Sequence, residues 1–180
     1  MKILPHNSTL LVIDIQEKLL PKIYDGENVL KDVIWSVDLA KTIGIPMILT
    51  EHCPDKIGTT PAVLREKFDE NDIISKSYFS AVSQGNLLNC IQKERKQIIV
   101  VGTEAHICVQ QTVLDLLQID YEVFILESAI GTRNPDDKMR AIDRMKQNGA
   151  EIITKDMLAF EWLEKADTAL FKTILNNFIK

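Results

Sequence analysis

The sequence of 180 residues lacks the features that direct a protein into a membrane or out of the cell. Its longest apolar runs are about as long as a β-strand and far shorter than the roughly 20 residues that span a bilayer. The first ten residues do not have the charged and then apolar build of a secretory signal. The three cysteines lie at scattered spacings that give neither a disulfide framework nor a zinc-binding pattern. We therefore expect a cytoplasmic protein without a membrane partner, in a reducing compartment where thiols stay free.

The sequence also has fewer basic residues than acidic ones. The 21 Lys and Arg residues are outnumbered by 26 Asp and Glu residues, which gives a net charge of −5. Binding to a phosphate backbone requires a basic face, so no nucleic-acid partner is expected. The sequence has no Gly-x-Gly-x-x-Gly after its first apolar run and no P-loop lysine motif. No organic cofactor is therefore expected.

The composition is that of an ordinary globular protein, and its elements alternate. Hydrophobic residues make up 46% of the chain, and the length suits a single domain over residues 1–180. Short apolar runs alternate with segments whose apolar residues fall at helical spacing. The predicted strands are Thr9–Asp14, Met47–Thr50, Asp72–Ser75, Gln97–Val101, Tyr121–Leu126 and Ala150–Thr154. The predicted helices are Glu27–Ile43, Gln84–Lys96, His106–Leu117, a segment from Pro135 up to Gly149, and C-terminal helical material up to Lys180.

This alternating order predicts the fold class. Apolar strands that alternate with helices favour a mostly parallel six-stranded sheet covered by helices on both faces, a three-layer α/β/α Rossmann-like fold. Right-handed crossovers limit the topology to a doubly wound layout. Ligands of such sheets bind at the carboxyl ends of the strands, so functional residues are expected there.

Three chemically active side chains occupy such positions. Asp14 ends the first predicted strand, Lys76 follows the third, and Cys108 lies at the start of the helix after the fourth. Each also has an ordinary explanation: an aspartate that caps a turn, a solvated lysine, and a thiol packed as a small apolar group. A helix N-terminus and a nearby ammonium lower the pKa of a thiol, and a carboxylate can accept its proton. Together the three residues predict an activated cysteine nucleophile.

The segment after the fourth strand resembles a known signature. The segment Val101–Thr112 has the sequence VGTEAHICVQQT and resembles the motif of the isochorismatase-like cysteine hydrolases, in which a strand ends in glycine and a short turn precedes the helix of the cysteine. Asp14 with Gln16 after the first strand, and Lys76 before a Tyr-Phe-Ser triplet, match the same family. The Glu-Ala-His triplet before the cysteine is most similar to the isochorismatase domain-containing (YcaC-related) branch. The matches occur in the family's order across almost the whole chain.

The resemblance implies a role for each matched residue. Cys108 would attack an amide-like carbon, with Asp14 as the base and later as the proton donor to the leaving group. Lys76 would stabilise the thiolate and keep the aspartate charged. The family carries a cis peptide at the turn that corresponds to Thr103–Glu104. The backbone N–H groups of Glu104 and Cys108 would then hold the oxyanion.

Other site residues are less strongly implied. Gln16, Tyr78 and Phe79 are candidates for lining the substrate pocket, and core packing is an equal alternative for the two aromatic side chains. His52 stands where the branch more usually has glutamine, and is expected to be a loop residue or a substrate contact. The nicotinamidase branch binds a metal through an aspartate and two histidines near the end of the second strand. The three histidines of this chain lie far apart, so no metal is expected.

One main hypothesis and two alternatives follow. The main hypothesis is an enzyme that hydrolyses a C–N bond of a small amide-like substrate through a thioacyl intermediate, and the resemblance also implies a homo-oligomer. Cys108 argues against the isochorismatase reaction itself, because isochorismatases lack this cysteine. The first alternative is a non-catalytic α/β module that binds a ligand or acts as a scaffold. The second is a thiol redox sensor, which would need a resolving thiol such as Cys53, while Cys90 is expected to pack on its helix.

Overall fold

The computed structural model describes residues 1–179 and contains a six-stranded sheet in which every strand is parallel to its neighbours. The strands are β1 (Ser8–Ile13), β2 (Met47–His52), β3 (Ile73–Lys76), β4 (Gln97–Thr103), β5 (Glu122–Gly131) and β6 (Glu151–Ile153). Their spatial order is β3-β2-β1-β4-β5-β6. All six predicted strands are present, and the sheet is wholly rather than mostly parallel.

The helices are α1 (Gly26–Ile43), α2 (Pro54–Ile57), α3 (Ala62–Arg65), α4 (Leu87–Cys90), α5 (Gln110–Gln118), α6 (Pro135–Gln147), α7 (Lys155–Leu163) and α8 (Ala169–Ile174). Helix α1 ends at Gly44, whose φ of 88° is easily adopted only by glycine. Helix α6 begins as the sequence predicts, because the Asn134 side chain accepts a hydrogen bond from the Asp136 N–H and Pro135 occupies the first turn. No helix within residues 1–179 is both long and apolar enough to cross a bilayer.

Helices cover both faces of the sheet. One apolar core lies between the sheet and helices α1, α7 and α8, and the other lies between the sheet and helices α5 and α6. Strand β1 contributes Leu10 and Val12 to the first core and Leu11 and Ile13 to the second. A central strand with both faces buried is apolar along most of its length, which explains the continuous hydrophobic run 10–13 that follows the buried polar residues Ser8 and Thr9. The three-layer α/β/α fold expected from the sequence is confirmed.

The predicted helix Gln84–Lys96 is wrong. Only one turn, α4, forms in this segment, and the remainder consists of turns and bends. Two buried side chains, Leu87 and Ile91, attach the segment to the core. Two anchors one turn apart are too few for the apolar stripe that stabilises a three-turn helix. Cys90 is consequently exposed and does not pack as expected.

The helix predicted from His106 begins differently. It starts with a π-helical turn, Ala105–Val109, which continues into α5. The carbonyl oxygen of Glu104 accepts hydrogen bonds from the N–H groups of Ile107 at 3.0 Å and Val109 at 3.2 Å. Cys108 therefore lies in a wide first turn, and turns of this kind are frequent at functional sites.

The order of the strands creates a crevice at the centre of the sheet. Strands β1 and β4 are neighbours, and the chain proceeds from β1 toward one edge and from β4 toward the other. Such a reversal leaves a ligand-sized opening at the carboxyl ends of the two strands. Gly102 pairs with Ile13 there and has a φ of +128°. A Cβ at Gly102 would lie 2.0 Å from the Ile13 carbonyl oxygen, so only glycine lets the two strands approach this closely.

Candidate active site

Asp14 is held at the crevice by three strands. It follows β1 in a left-handed conformation with a φ of 50° and is fully buried. Its N–H donates to the Thr50 carbonyl oxygen at 3.1 Å, and its Oδ1 accepts from Thr50 Oγ1 at 2.7 Å. Its own carbonyl oxygen accepts from Thr103 Oγ1 at 2.7 Å. These bonds to β2 and β4 fix the direction of the carboxylate.

Lys76 is the last residue of β3, and its side chain is fully buried. Its Nζ donates to Asp14 Oδ2 at 2.6 Å and to the carbonyl oxygens of Phe79 at 3.0 Å and Tyr78 at 3.2 Å. All three ammonium hydrogens therefore have an acceptor. The alternative of a solvated lysine is wrong, because burying an ammonium is tolerated only with such compensation.

Cys108 completes the group predicted from the strand ends. Its side chain is buried, and its sulfur, a carboxylate oxygen of Asp14 and a ring nitrogen of His52 all lie within 4.8 Å of one another. Its carbonyl oxygen accepts from Thr112 Oγ1 at 2.7 Å, which ties the π-helical turn to α5. The amine of Lys76 and the thiol of Cys108 lie 62 and 94 residues after Asp14 in the sequence. The fold thus brings an acid, an amine and a thiol to one place.

The electrostatics of Cys108 differ from the sequence expectation. Burial, and secondarily the negative charge of Asp14, raise the pKa of the Cys108 thiol to about 12, although Lys76 acts in the opposite direction. The sequence predicts a lowered thiol pKa from the helix N-terminus and the ammonium. That prediction is wrong, because a thiolate there would place two anions beside one cation in a region with little solvent. The resting residue is the thiol.

His52 is the site residue whose place the sequence left open. It ends β2 and is paired in register with Lys76 of β3. Its ring stacks on Phe79 with centroids 5.3 Å apart. Burial, and then the charge of Lys76, lower the pKa of His52 from 6.5, so the imidazole is neutral at pH 7. The position of His52 at the end of a predicted strand was the signal that could have placed it in the site. The sequence alone does not give the order of the strands, so it does not show that this strand lies next to β3.

Gln16 has a structural role in this arrangement. It is fully buried, and its Oε1 accepts from the His52 N–H at 2.7 Å. Its Nε2 donates to the carbonyl oxygens of His52 at 3.0 Å and Gly58 at 2.5 Å. Gln16 therefore holds the end of β2 and the following loop in place. Its role as a pocket residue stays a prediction.

Tyr78 and Phe79 lie on the surface beside the site. Their exposed fractions are 58% and 51%, which excludes the alternative of core packing. A cavity of about 430 Å³ opens next to them, and its lining also includes Gln111 and Asp115 of α5. Another cavity, of about 360 Å³, lies at the end of β5 around Lys138. Neither Asp14 nor Cys108 lines either cavity. The first is the better candidate for the substrate because Tyr78 and Phe79 line it and their carbonyl groups bind Lys76.

Glu104 follows a cis peptide bond with Thr103. Its Oε2 accepts from Arg133 Nε at 2.8 Å, so the side chain is held away as part of an ion pair. The role of its backbone N–H, and that of Cys108, in binding an oxyanion stays a prediction.

Within residues 1–179, the group of side chains that could hold a metal ion is Asp14, His52 and Cys108. All three cysteines are free thiols. Cys53, the candidate resolving thiol, is half-buried and has a φ of 40° just after β2, where its N–H donates to the Lys76 carbonyl oxygen at 2.8 Å.

Comparison with known proteins gives consistent results. The isochorismatase domain model matches residues 8–157. Isochorismatase family protein 1B of Dictyostelium discoideum is 32% identical over 179 residues, which cover 97% of this chain and 87% of that protein. The structure of the MAR1 ribonuclease of Caenorhabditis elegans has a TM-score of 0.92 and 31% identity, covering 100% of this chain and 93% of that one. YcaC of Escherichia coli, an octameric hydrolase of unknown specificity, has a TM-score of 0.91 and 25% identity, covering 99% and 91%.

Proposed function

The chain belongs to the isochorismatase domain family, and from that membership we propose that it is a cysteine-dependent hydrolase which cleaves the C–N bond of a small amide-like substrate. Its fold is that of a hydrolase family, which supports a hydrolytic function. The observation that carries the finer proposal is the position of a buried carboxylate oxygen of Asp14 within 4.8 Å of the Cys108 sulfur. A thiol with a base so close can lose its proton as it attacks.

The raised pKa of Cys108 favours a particular order of events. A thiol with a pKa of about 12 is protonated in the free enzyme, and we propose that its proton transfers to Asp14 as the sulfur attacks. Cys108 Sγ forms a bond to the carbonyl carbon while its proton passes to Asp14. The carbonyl oxygen becomes an oxyanion, and the N–H groups of Glu104 and Cys108 bind it. One such donor is typically worth about 3–4 kcal/mol in the transition state.

The second half of the reaction regenerates the enzyme. Asp14 returns the proton to the departing nitrogen, the C–N bond breaks, and a thioacyl intermediate remains on Cys108. A water molecule then gives a proton to Asp14 and attacks the same carbon, after which the C–S bond breaks and the sulfur recovers the proton. Lys76 positions Asp14 through the 2.6 Å contact and balances the negative charge of the carboxylate.

The surroundings suggest the substrate class and the assembly. Gln16, Tyr78 and Phe79 are proposed to line the pocket, and a cavity of about 430 Å³ fits a small molecule. The exposed aromatic pair is also suited to a subunit contact, and since YcaC is octameric we propose a homo-oligomer of single-domain chains, each spanning residues 1–180, in the cytoplasm.

RNA is not the substrate proposed. One structural neighbour is named a ribonuclease, but a net charge of −5 leaves this chain without the basic balance that binds phosphate backbones. An RNA oligonucleotide nevertheless belongs in the substrate screen as the contrasting arm.

The experiment is a screen of small amides for release of ammonia or amine, with intact-protein mass spectrometry to trap the acyl intermediate. Wild type should show turnover and a mass increase located at Cys108. Cys108→Ala should show neither, whereas Cys90→Ala, which alters an exposed thiol outside the site, should behave as wild type. A folded Cys108→Ala variant with full activity refutes the nucleophile. Amides that bind without being cleaved by wild type would instead support the alternative of a ligand-binding module.

A further inference from the structure

We propose that Asp14, His52 and Cys108 form a binding site for a thiophilic divalent cation such as Zn²⁺ or Cd²⁺, and that the bound ion blocks the nucleophile. The three side chains offer a carboxylate oxygen, an imidazole nitrogen and a sulfur within 4.8 Å of one another. These are the three ligand types that zinc uses in proteins. The ion is an added inhibitor and not a resident cofactor, so the expectation of no metal in the purified protein stays a prediction.

The geometry requires only a small adjustment. In a tetrahedral zinc site with bonds of 2.0–2.3 Å, neighbouring ligand atoms lie about 3.3–3.6 Å apart. The three ligand atoms must therefore approach one another by about 1 Å, which side-chain rotation can supply. The carboxylate is held by Thr50 and Lys76, and Cys108 is held by its helix. His52, which is half-buried and stacks on Phe79, has no side-chain hydrogen bond of this kind within the described residues and is the ligand that would have to move.

An independent observation marks His52 as the available ligand. Its Nδ1 is buried and has no hydrogen-bond partner among the residues that the structure describes. A buried polar atom without a partner costs free energy of about 1–3 kcal/mol. A metal ion bound through this nitrogen would give Nδ1 a partner and would recover part of that cost.

Lys76 determines which ions can bind. Its ammonium contacts the same carboxylate and repels any dication, so the remaining ligands must supply the compensation. Zn²⁺ and Cd²⁺ bind strongly to sulfur and nitrogen ligands. Mg²⁺ and Ca²⁺ prefer oxygen ligands, and the cluster offers them only one carboxylate, which is already paired with Lys76. The site should therefore bind the first pair of ions and ignore the second.

Metal binding has a defined proton balance. As the metal–sulfur bond forms, the S–H bond of Cys108 breaks and its proton is released to the solvent. The sulfur electron pair and the Asp14 oxygen are then both engaged by the ion, so neither can act on a substrate. Only this inhibitory consequence rests on the proposed function, since binding can be measured without turnover.

The experiment is a Cd²⁺ titration of the full-length protein, followed by ultraviolet absorption of the thiolate-to-cadmium charge transfer. Wild type should develop the band with one ion per chain, Cys108→Ser should lose it, and a hundredfold excess of Mg²⁺ should not displace it. His52→Gln should weaken binding by at least about tenfold, the smallest loss typical of altered metal surroundings. His106→Gln is the matched control, because the Nδ1 of His106 is also buried without a partner in residues 1–179 but lies outside the cluster. Cys53→Ser controls for the neighbouring thiol.

The outcomes separate this proposal from the proposed function. A band that depends on Cys108 and His52 in a protein that cleaves no amide supports the metal site and counts against the hydrolase. The metal site is refuted if wild type shows no band, if the band survives Cys108→Ser, or if Cys53→Ser or His106→Gln removes it. Hydrolysis that Zn²⁺ does not inhibit, in a protein with the band, refutes the inhibitory role.

Discussion

Replacing Asp14 by Asn should make Cys108 more acidic and the enzyme slower at the same time. The carboxylate is the second cause, after burial, of a rise in the pKa of Cys108 from 9.0 to about 12. This rise corresponds to about 4 kcal/mol against the thiolate, and at pH 7 it leaves about one Cys108 in 10⁵ ionised, where a pKa of 9 would leave about one in 100. Cys108 is 7% exposed, so solvent screens this effect little.

The two expected effects have opposite signs. A charge within about 4–6 Å changes a pKa by about one to three units, and the Asp14 carboxylate lies within 4.8 Å of the Cys108 sulfur. Asp14→Asn should therefore lower the pKa of Cys108 by that amount and raise its thiolate fraction at pH 8 by about tenfold to a thousandfold. Because a less basic thiolate is also less nucleophilic, alkylation should become faster by about threefold to thirtyfold. Turnover should nevertheless fall by about 10² to 10⁴, the usual contribution of a general base. A residue that served only to activate the thiolate would change both quantities in the same direction.

The assay is alkylation by iodoacetamide from pH 6 to pH 11, with mass spectrometry of each cysteine and exposed Cys90 as the internal reference. Asp38→Asn is the matched control, because Asp38 also pairs with a lysine, Lys67 at 2.7 Å, but on α1. Circular dichroism establishes that the Asp14→Asn variant is folded, since an unpaired buried Lys76 is costly. Alkylation of wild-type Cys108 with a midpoint below about pH 8.5, or slower alkylation in Asp14→Asn, would refute the reasoning.

Two further predictions concern stability. Gly102→Ala should lower the free energy of unfolding by about 3 kcal/mol or more, because the new Cβ would lie 2.0 Å from the Ile13 carbonyl oxygen. The control is Gly44→Ala, which has a φ of +88° but open space around it and should cost only about 1 kcal/mol. Equal losses of unfolding free energy in urea for the two variants would contradict the close-approach argument. Burial and Lys76 lower the pKa of His52 from 6.5. Below about pH 6.5 the unfolded chain therefore binds a proton that the folded chain does not, and the free energy of unfolding should fall as the pH falls. Urea titrations at pH 7 and pH 5 should show a smaller fall in His52→Gln than in wild type, and an equal fall would assign the pH dependence to other groups.

The sequence was sufficient to predict the fold class because the signals that determine it are local. The continuous apolar run of β1 and the capped start of α6 each depend on neighbours within a few residues, and alternation of such elements leaves few ways to bury them. The same alternation predicts that Asp14 and Lys76 lie at strand ends and that Cys108 lies just after one. The carboxyl ends of parallel strands share one edge of the sheet, so the three residues are expected to meet there. The helix predicted over Gln84–Lys96 failed because its pattern was weak, with one turn's worth of buried anchors.

The tertiary structure decided what depends on distances between segments remote in sequence. The pKa of Cys108 is set by how little solvent reaches it and by Asp14, which lies 94 residues earlier, and neither quantity is encoded near the cysteine. His52 joins the cluster only because β2 lies between β1 and β3. Burial and electrostatic interaction act through space, whereas the periodicity that predicts helices and strands acts along the chain; the sequence could therefore indicate which residues meet, and only the folded arrangement determines their charge and partners.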